Sequence, residues 1–157
     1  MKALVLFGFI MRISLRTRYG LAALLCMAEK EQSAERVTII SLSEKLKISK
    51  IYLEQVFALL RRGGLVTSAK GAQGGYNLSR PARHITAFDV LSATETSLFE
   101  RAEETVADEN IEKTLRDAVF DPLDNSLKET LSRITLEDMV NQSAVYTNGD
   151  YYMYSGI

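Results

Sequence analysis

Residues 41–78 read SLSEKLKISKIYLEQVFALLRRGGLVTSAKGAQGGYNL, and this stretch decides the fold. Ser41-Leu42-Ser43-Glu44 matches a capping box, in which a serine and a glutamate satisfy the free amides at a helix start. We predict that this first helix ends near Lys47. Ser49 then caps a second helix over Lys50–Arg62. Two short helices joined by a tight turn are typical of a helix-turn-helix.

A glycine-rich hairpin is predicted directly after the second helix. Gly63 and Gly64 end that helix, since glycine tolerates the left-handed backbone found at helix C-termini. Residues 65–69 alternate as a strand does, 70–75 (KGAQGG) form the turn, and 76–78 return as the partner strand. A hairpin in this position is the wing of a winged helix-turn-helix, and Arg80-Pro81 ends it.

Further elements are predicted on both sides of this unit. They are a helix over Leu15–Lys30, a short strand over Val37–Ile40, a helix capped by Thr86 with Asp89 and ending near Thr94, an acidic linker from Thr94 to Asn110, and a last helix capped by Thr135 with Asp138 and ending near Asn141. The expected fold class is therefore mostly α, with a small β component.

A long apolar stripe is predicted between Asn110 and about Ser132. Its members recur every four residues: Ile111, Leu115, Val119, Leu123, Leu127 and Leu131. Such a spacing leaves one apolar face on a helix, which favours dimerisation. Pro122 lies inside the pattern and should kink the helix or split it.

Charge is distributed unevenly along the chain. Residues 11–83 contain thirteen Lys and Arg against five Asp and Glu, a net charge of +8. Residues 84–157 contain five against fifteen, a net charge of −10. A basic half beside an acidic half predicts a polyanion-binding module, with nucleic acid as the leading ligand.

The composition excludes several classes of protein. The chain has one cysteine, Cys26, so neither an intrachain disulfide nor a multi-cysteine metal site can form, and we interpret this thiol as a small buried hydrophobe. We find no carboxylate pair with a histidine, no nucleotide-binding glycine fingerprint and no cysteine–histidine arrangement. The sequence therefore predicts neither an enzyme nor a cofactor, and its cysteine usage suits the cytoplasm.

The helix over Lys50–Arg62 has the pattern of a major-groove reader. On a helical wheel Leu53, Val56, Phe57 and Leu60 face the core. The opposite face carries Ile51, Gln55, Ala58 and Arg62, flanked by Tyr52 and Glu54. Gln can pair with adenine, Glu can accept from cytosine, and Ile can contact a thymine methyl. Arg61 and Arg62 are placed for phosphates, and Lys70 in the wing can reach a minor groove or a phosphate.

The signature blocks of the chain resemble those of Rrf2-family transcriptional regulators. These blocks are Arg18-Tyr19-Gly20-Leu21, Tyr52-Leu53-Glu54-Gln55, Gly64-Leu65-Val66, Lys70 to Leu78, Pro81 and Ile85-Thr86, and the match runs from Met11 to about Ser143. The resemblance implies a winged helix-turn-helix homodimer that represses genes at a palindromic operator, its dimer helix lying between about Asn110 and Leu131. The DNA contacts that the resemblance implies are Ile51, Tyr52, Glu54, Gln55, Lys70 and Gly71. Three arginines of the basic half, Arg12, Arg18 and Arg62, are predicted as further DNA-binding residues.

The sequence departs from the iron–sulfur branch of that family. Members of that branch carry three cysteines in the region matching Ala93 to Asn110, where this chain has none. The tail, residues 151–157 (YYMYSGI), is similar to that of a clusterless branch that regulates cysteine metabolism together with cysteine synthase. The resemblance suggests that Tyr154, Gly156 and Ile157 bind that enzyme through the terminal carboxylate. Two alternatives to this function stay open. The protein could be an Rrf2-type repressor that responds to a small molecule or a redox signal, or an interaction module that regulates an enzyme and has vestigial DNA binding.

We divide the chain into four segments. Residues 1–10 are an N-terminal extension expected to be disordered, 11–83 the winged helix-turn-helix, 84–144 the linker and dimerisation helices, and 145–157 the C-terminal tail. The apolar run at 1–10 is too short to span a bilayer and has no small-residue cleavage site. An upstream start or an added extension is the preferred interpretation, and an extra packed segment comes second.

Overall fold

The computed structural model describes residues 13–33, 35–71, 74–100 and 106–147. Its regular elements are α1 (Leu15–Glu29), α2 (Ile39–Leu46), α3 (Lys50–Arg62), β1 (Val66–Ser68), β2 (Tyr76–Leu78), α4 (Ala87–Thr94), α5 (Glu109–Leu115), α6 (Asp121–Ser132) and α7 (Leu136–Thr147). A π-helical turn, Arg116–Phe120, joins α5 to α6, and three short 3₁₀ helices cover Glu31–Ser33, Ala82–His84 and Thr96–Leu98. The predictions for residues 1–10, Arg12, Tyr154, Gly156 and Ile157 lie outside the described residues.

The mostly helical winged fold is confirmed. Helix α1 packs on α2, α3, α4 and α7, so it lies at the centre of the unit. Strands β1 and β2 pair antiparallel, with Val66 opposite Leu78 and Ser68 opposite Tyr76. Within the described ranges no helix has the length and apolar character needed to cross a membrane.

One core holds these elements together. Its largest fully buried side chains are Phe57, Leu24, Leu42, Leu53, Leu60, Leu65, Ile85 and Leu136. They come from α1, the helix-turn-helix, the wing and the segments after the wing. The helix-turn-helix is therefore packed against Ile85 and Leu136 from the second half of the chain.

The predicted strand at Val37–Ile40 is wrong. Only Val37 is bridged, to Tyr76, and α2 begins at Ile39. Thr38 accepts a hydrogen bond from the Ser41 amide at 3.1 Å, while Ser41 accepts one from the Thr38 amide at 3.2 Å. The capping box is therefore Thr38–Ser41 and not Ser41–Glu44. This reciprocal cap supports a helix start that overrides the strand preference of the β-branched residues.

The turn and the second helix follow the prediction closely, whereas the first helix begins earlier, at Ile39. Lys47 ends α2 in the left-handed conformation, with φ of 57°, and so reverses the chain in the turn. Ser49 then caps α3 by accepting from the Tyr52 amide at 3.3 Å. Helix α3 has the predicted bounds, and Gly64, with φ of 72°, follows its end. The tight turn fixes the direction in which α3 leaves α2.

A hydrogen-bonded junction ties the start of α1 to the end of α4. Thr17 is fully buried, and its Oγ1 lies 2.7 Å from Thr94 Oγ1 and 2.8 Å from Glu95 Oε1. The Ser14 amide donates to the same Glu95 oxygen at 2.6 Å. Burial alone would raise the pKa of Glu95, but the hydrogen bonds from Ser14 and Thr17 outweigh it and hold that pKa below its ordinary value.

The predicted helix from Asn110 to Ser132 forms as α5, the π turn and α6. Pro122 sits in the first turn of α6, where a missing N–H costs least. The Asp121 amide donates to the Arg116 carbonyl, five residues back. The π turn accommodates Pro122 without ending the helix. Helix α6 therefore continues directly from α5, with a shift in helical register at the π turn.

Helix α7 begins as predicted and ends later than predicted. Thr135 and Asp138 exchange hydrogen bonds, with the Thr135 amide donating to the Asp138 carboxylate at 2.9 Å. These bonds, with the Thr135 backbone donor as the main cause, lower the pKa of the exposed Asp138 carboxyl. The predicted end at Asn141 is wrong, because the helix continues to Thr147. Its docking on α1 supplies contacts that the local sequence pattern does not show.

Candidate nucleic-acid interface

Helix α3 is held by one apolar face. Leu53, Val56, Phe57 and Leu60 are each 0% exposed, which confirms the predicted core face. The Phe57 ring also packs on Tyr76 of the wing, with ring centroids 4.5 Å apart. The helix and the wing are therefore positioned by the same side chain.

The opposite face of α3 is open. Ile51 is 72% exposed, and Glu54, Gln55, Ala58 and Arg62 are exposed as well. An amide, a carboxylate and an aliphatic side chain on one outward helix face can recognise three different base edges in a major groove. This arrangement suits sequence-specific contact with a duplex.

Tyr52 lies at the edge of that face and is only half-buried. Its ring meets Tyr19 of α1 edge-on, with centroids 5.2 Å apart and an interplanar angle of 81°. Arg18, the neighbour of Tyr19, is exposed. The aromatic pair fixes Tyr52 against α1, and so brings the start of α1 close to the recognition face.

The wing presents Lys70 and Gly71 at its tip, and both are exposed. The Ala69 amide donates to the Gly75 carbonyl at 2.8 Å and closes the loop. Gly71 has φ of 136° and Gly75 has φ of 105°, conformations that side chains other than glycine rarely adopt. The glycines therefore set the shape of the loop that carries Lys70.

The basic half also carries exposed cations that the sequence analysis did not single out. Arg16, Arg36, Lys47 and Lys50 are exposed, and in the part of the chain that the structure describes they form no ion pair. Other cations of the basic half are paired: Lys30 with Glu35 at 2.9 Å, Lys45 with Glu29 at 2.8 Å and Arg80 with Asp89 at 3.0 Å. The excess positive charge of residues 11–83 is the signal that could have pointed to the unpaired ones.

Cys26 is 7% exposed on the inner side of α1. Burial raises the pKa of its thiol, although the nearby Lys45 ammonium acts in the opposite direction. The hydrogen bond to Glu29 raises the pKa of Lys45. A buried, protonated thiol agrees with the interpretation of Cys26 as a packing residue.

The apolar stripe of the second half is largely open in the single chain. Ile111 is 52% exposed, Leu115 36%, Val119 50% and Leu123 51%. The last two members, Leu127 and Leu131, are half-buried on α6, the helix that packs on α4. The π turn also affects the direction of the stripe. In an α-helix four residues turn about 400°, so each member of the stripe lies about 40° further round the helix than the one before it. The π turn has more residues per turn and rotates the following members back towards the same face.

Comparison with known proteins identifies the family. The model of the Rrf2 family, described as an iron-dependent transcriptional regulator, matches residues 13–142. The chain belongs to the Rrf2 family. Its relatives are named as transcriptional regulators and not as enzymes. The HTH-type transcriptional regulator IscR of Cronobacter sakazakii is 35% identical over 141 residues, which cover 89% of this chain and 86% of that protein.

Two solved Rrf2-type structures resemble this one. CymR (YrzC), the global cysteine regulator of B. subtilis, is 30% identical with a TM-score of 0.69, over 85% of this chain and 98% of that one. IscR of T. potens is 30% identical with a TM-score of 0.70, over 95% of this chain and 98% of that one. The resemblance to the family, including CymR, is therefore confirmed.

The residues of this Rrf2 protein do not fit the metal centre that the family description implies. Cys26 is the only cysteine of the chain and is buried in α1. Within the described residues no group of three histidine, cysteine or acidic side chains could hold a metal ion. A cysteine-ligated iron–sulfur cluster needs several thiolates, so this chain lacks the ligands.

Proposed function

We propose that the protein is a homodimeric transcriptional repressor that reads a palindromic DNA operator through α3. The observation that carries the proposal is the asymmetry of α3, with one face 0% exposed and the other presenting Ile51, Glu54 and Gln55 outward. A helix fixed in this way can enter a major groove without rearranging its own core.

Each contact residue has a role that follows from its chemistry. Gln55 can bind adenine, Glu54 cytosine and Ile51 a thymine methyl. Tyr52 lies at the edge of the same face. Arg12, Arg18 and Arg62 would bind phosphates, and Lys70 and Gly71 would contact the flank of the site from the wing.

The second half of the protein would form the dimer. An open face with Ile111, Leu115, Val119 and Leu123 gives two copies an apolar surface to bury, and Leu127 and Leu131 extend it towards α4. A two-fold dimer requires half-sites about 34–36 Å apart, one helical turn of DNA. The protein would act in the cytoplasm, which its single cysteine suits, and would need no cofactor.

The test of DNA recognition uses an operator selected from random duplexes and binding measured by fluorescence anisotropy. Gln55→Ala should weaken binding by about 1–3 kcal/mol and relax the preference at one base position. Gln32→Ala, an exposed glutamine in the 3₁₀ helix after α1, is the matched control and should change neither. Equal effects of the two substitutions would refute the role of α3.

The test of the dimer uses sedimentation equilibrium. Val119→Glu places a charge in the stripe and should shift the protein to a monomer, because the carboxylate would be buried without a partner. Ile40→Glu is the control, since Ile40 on α2 is 54% exposed and Val119 50%. If the Val119→Glu variant remained a dimer, the dimer interface would not include the apolar stripe.

A finer proposal, favoured by the similarity to CymR, is that the regulon concerns cysteine metabolism and that cysteine synthase is the signalling partner. The tail residues Tyr154, Gly156 and Ile157 would bind that enzyme, and they lie outside the described residues. Calorimetric titration into cysteine synthase, with a variant lacking Ser155 to Ile157 alongside, tests this. Saturable binding that requires the tail supports the partnership, and no binding by either form refutes it.

A further inference from the structure

Val37, in the segment just before α2, pairs with Tyr76 of the wing strand β2. The Tyr76 amide donates to the Val37 carbonyl at 2.8 Å, and the Val37 amide donates to the Tyr76 carbonyl at 3.4 Å. A Cβ placed on Gly75 would lie 3.1 Å from the Val37 carbonyl oxygen. This close approach brings residue 36 beside the tip of the wing, although the two are far apart in sequence.

The Arg36 side chain reaches the wing tip. A Cβ placed on Gly71 would lie 2.8 Å from Nη1 of Arg36, so the guanidinium lies against the glycine backbone. Arg36 and Lys70 are both exposed, and Lys70 immediately precedes Gly71. The carboxylate nearest in sequence, Glu35, is already paired with Lys30 at 2.9 Å. The exposed loop that carries Lys70 therefore has the Arg36 guanidinium beside it.

We propose that Arg36 belongs to the DNA-contacting surface and binds a backbone phosphate beside the wing, next to Lys70. A guanidinium offers a planar set of N–H donors that matches phosphate oxygens. Because a phosphate contact carries no sequence information, Arg36 sets affinity and orientation but not base preference. This inference rests on the proposed DNA binding and adds a residue that the helix pattern does not reveal.

The experiment measures operator binding by the full chain as a function of salt. The logarithm of the binding constant falls linearly with the logarithm of the salt concentration. The loss of one phosphate contact makes this fall shallower by about 0.9. Arg36→Gln should therefore weaken binding by about eightfold at 0.1 M salt and by about fourfold at 0.2 M. Arg36→Lys keeps the charge and should retain the slope, and Lys70→Ala should lower the slope to a similar extent.

Arg133→Ala is the matched control. Its side chain is 81% exposed at the C-cap of α6, 3.8 Å from the Glu129 carboxylate, and its loss should leave both affinity and slope unchanged. Unchanged affinity in Arg36→Gln, or a loss that is the same at all salt concentrations, would overturn the proposal and leave Arg36 as a brace for the wing. A shallow slope in the wild-type protein would instead count against the proposed DNA binding itself. Thermal unfolding of each variant verifies that it is folded.

Discussion

Thr17→Val tests the junction between α1 and α4. Three short contacts converge there: Thr17 to Thr94 at 2.7 Å, Thr17 to Glu95 at 2.8 Å, and Thr94 to the Val90 carbonyl at 2.8 Å. Two hydroxyls supply two protons for these three contacts, and the ionised Glu95 supplies none. Thr94 donates to Val90, so the Thr17 proton is shared between Thr94 and Glu95.

The magnitude follows from what valine removes. Valine has nearly the shape of threonine, so no cavity forms, and Glu95 keeps the Ser14 amide as a partner. The main loss is one hydrogen bond to a charged acceptor, which contributes about 2 kcal/mol. For a chain of this size that loss corresponds to a fall in Tm of about 4–8 °C. Denaturation by urea at a fixed protomer concentration measures it, because the proposed dimerisation would make stability depend on concentration.

Thr67→Val is the control, since Thr67 is exposed on β1. It should leave the free energy of unfolding within about 0.5 kcal/mol of wild type. If Thr17→Val cost no more than Thr67→Val, the shared proton would contribute nothing and the reasoning would be wrong. A double-mutant cycle with Glu95→Gln isolates the coupling between the two residues.

Three further predictions follow from the same structure. Glu95→Gln should remove a pH-dependent part of the stability: the lowered pKa of Glu95 stabilises the fold above the ordinary pKa, and this contribution is lost as the pH falls through the folded value. The difference between wild type and variant in urea titrations should thus shrink as the pH is lowered, and a constant difference would contradict this. Phe57→Ala should cost about 3–5 kcal/mol, since the ring fills the core and holds Tyr76 of the wing, whereas Ala58→Gly on the exposed face should cost about 1 kcal/mol. Cys26 should react with a thiol reagent only as fast as the protein opens, because burial both covers the thiol and raises its pKa; rapid labelling of the native protein would exclude this.

The candidate site was predictable where its information is local. Ser49 caps α3, the glycines at 63 and 64 end it, and the spacing of Leu53, Val56, Phe57 and Leu60 sets which face is buried. Capping and helical periodicity depend on residues within about four positions of one another. The outward positions of Ile51, Glu54 and Gln55 follow from the same period.

The sequence alone therefore determined the helix-turn-helix, the wing, the family resemblance, the lack of cluster ligands and the basic half of the chain. Tertiary packing decided the rest. It paired Val37 with Tyr76 and brought Arg36 to Gly71. It also joined Thr17 to Thr94 and Glu95, and partly covered Leu127 and Leu131 while leaving Val119 open. These features connect residues that are distant in sequence or depend on how helices pack, so no local hydrogen bond or periodicity encodes them.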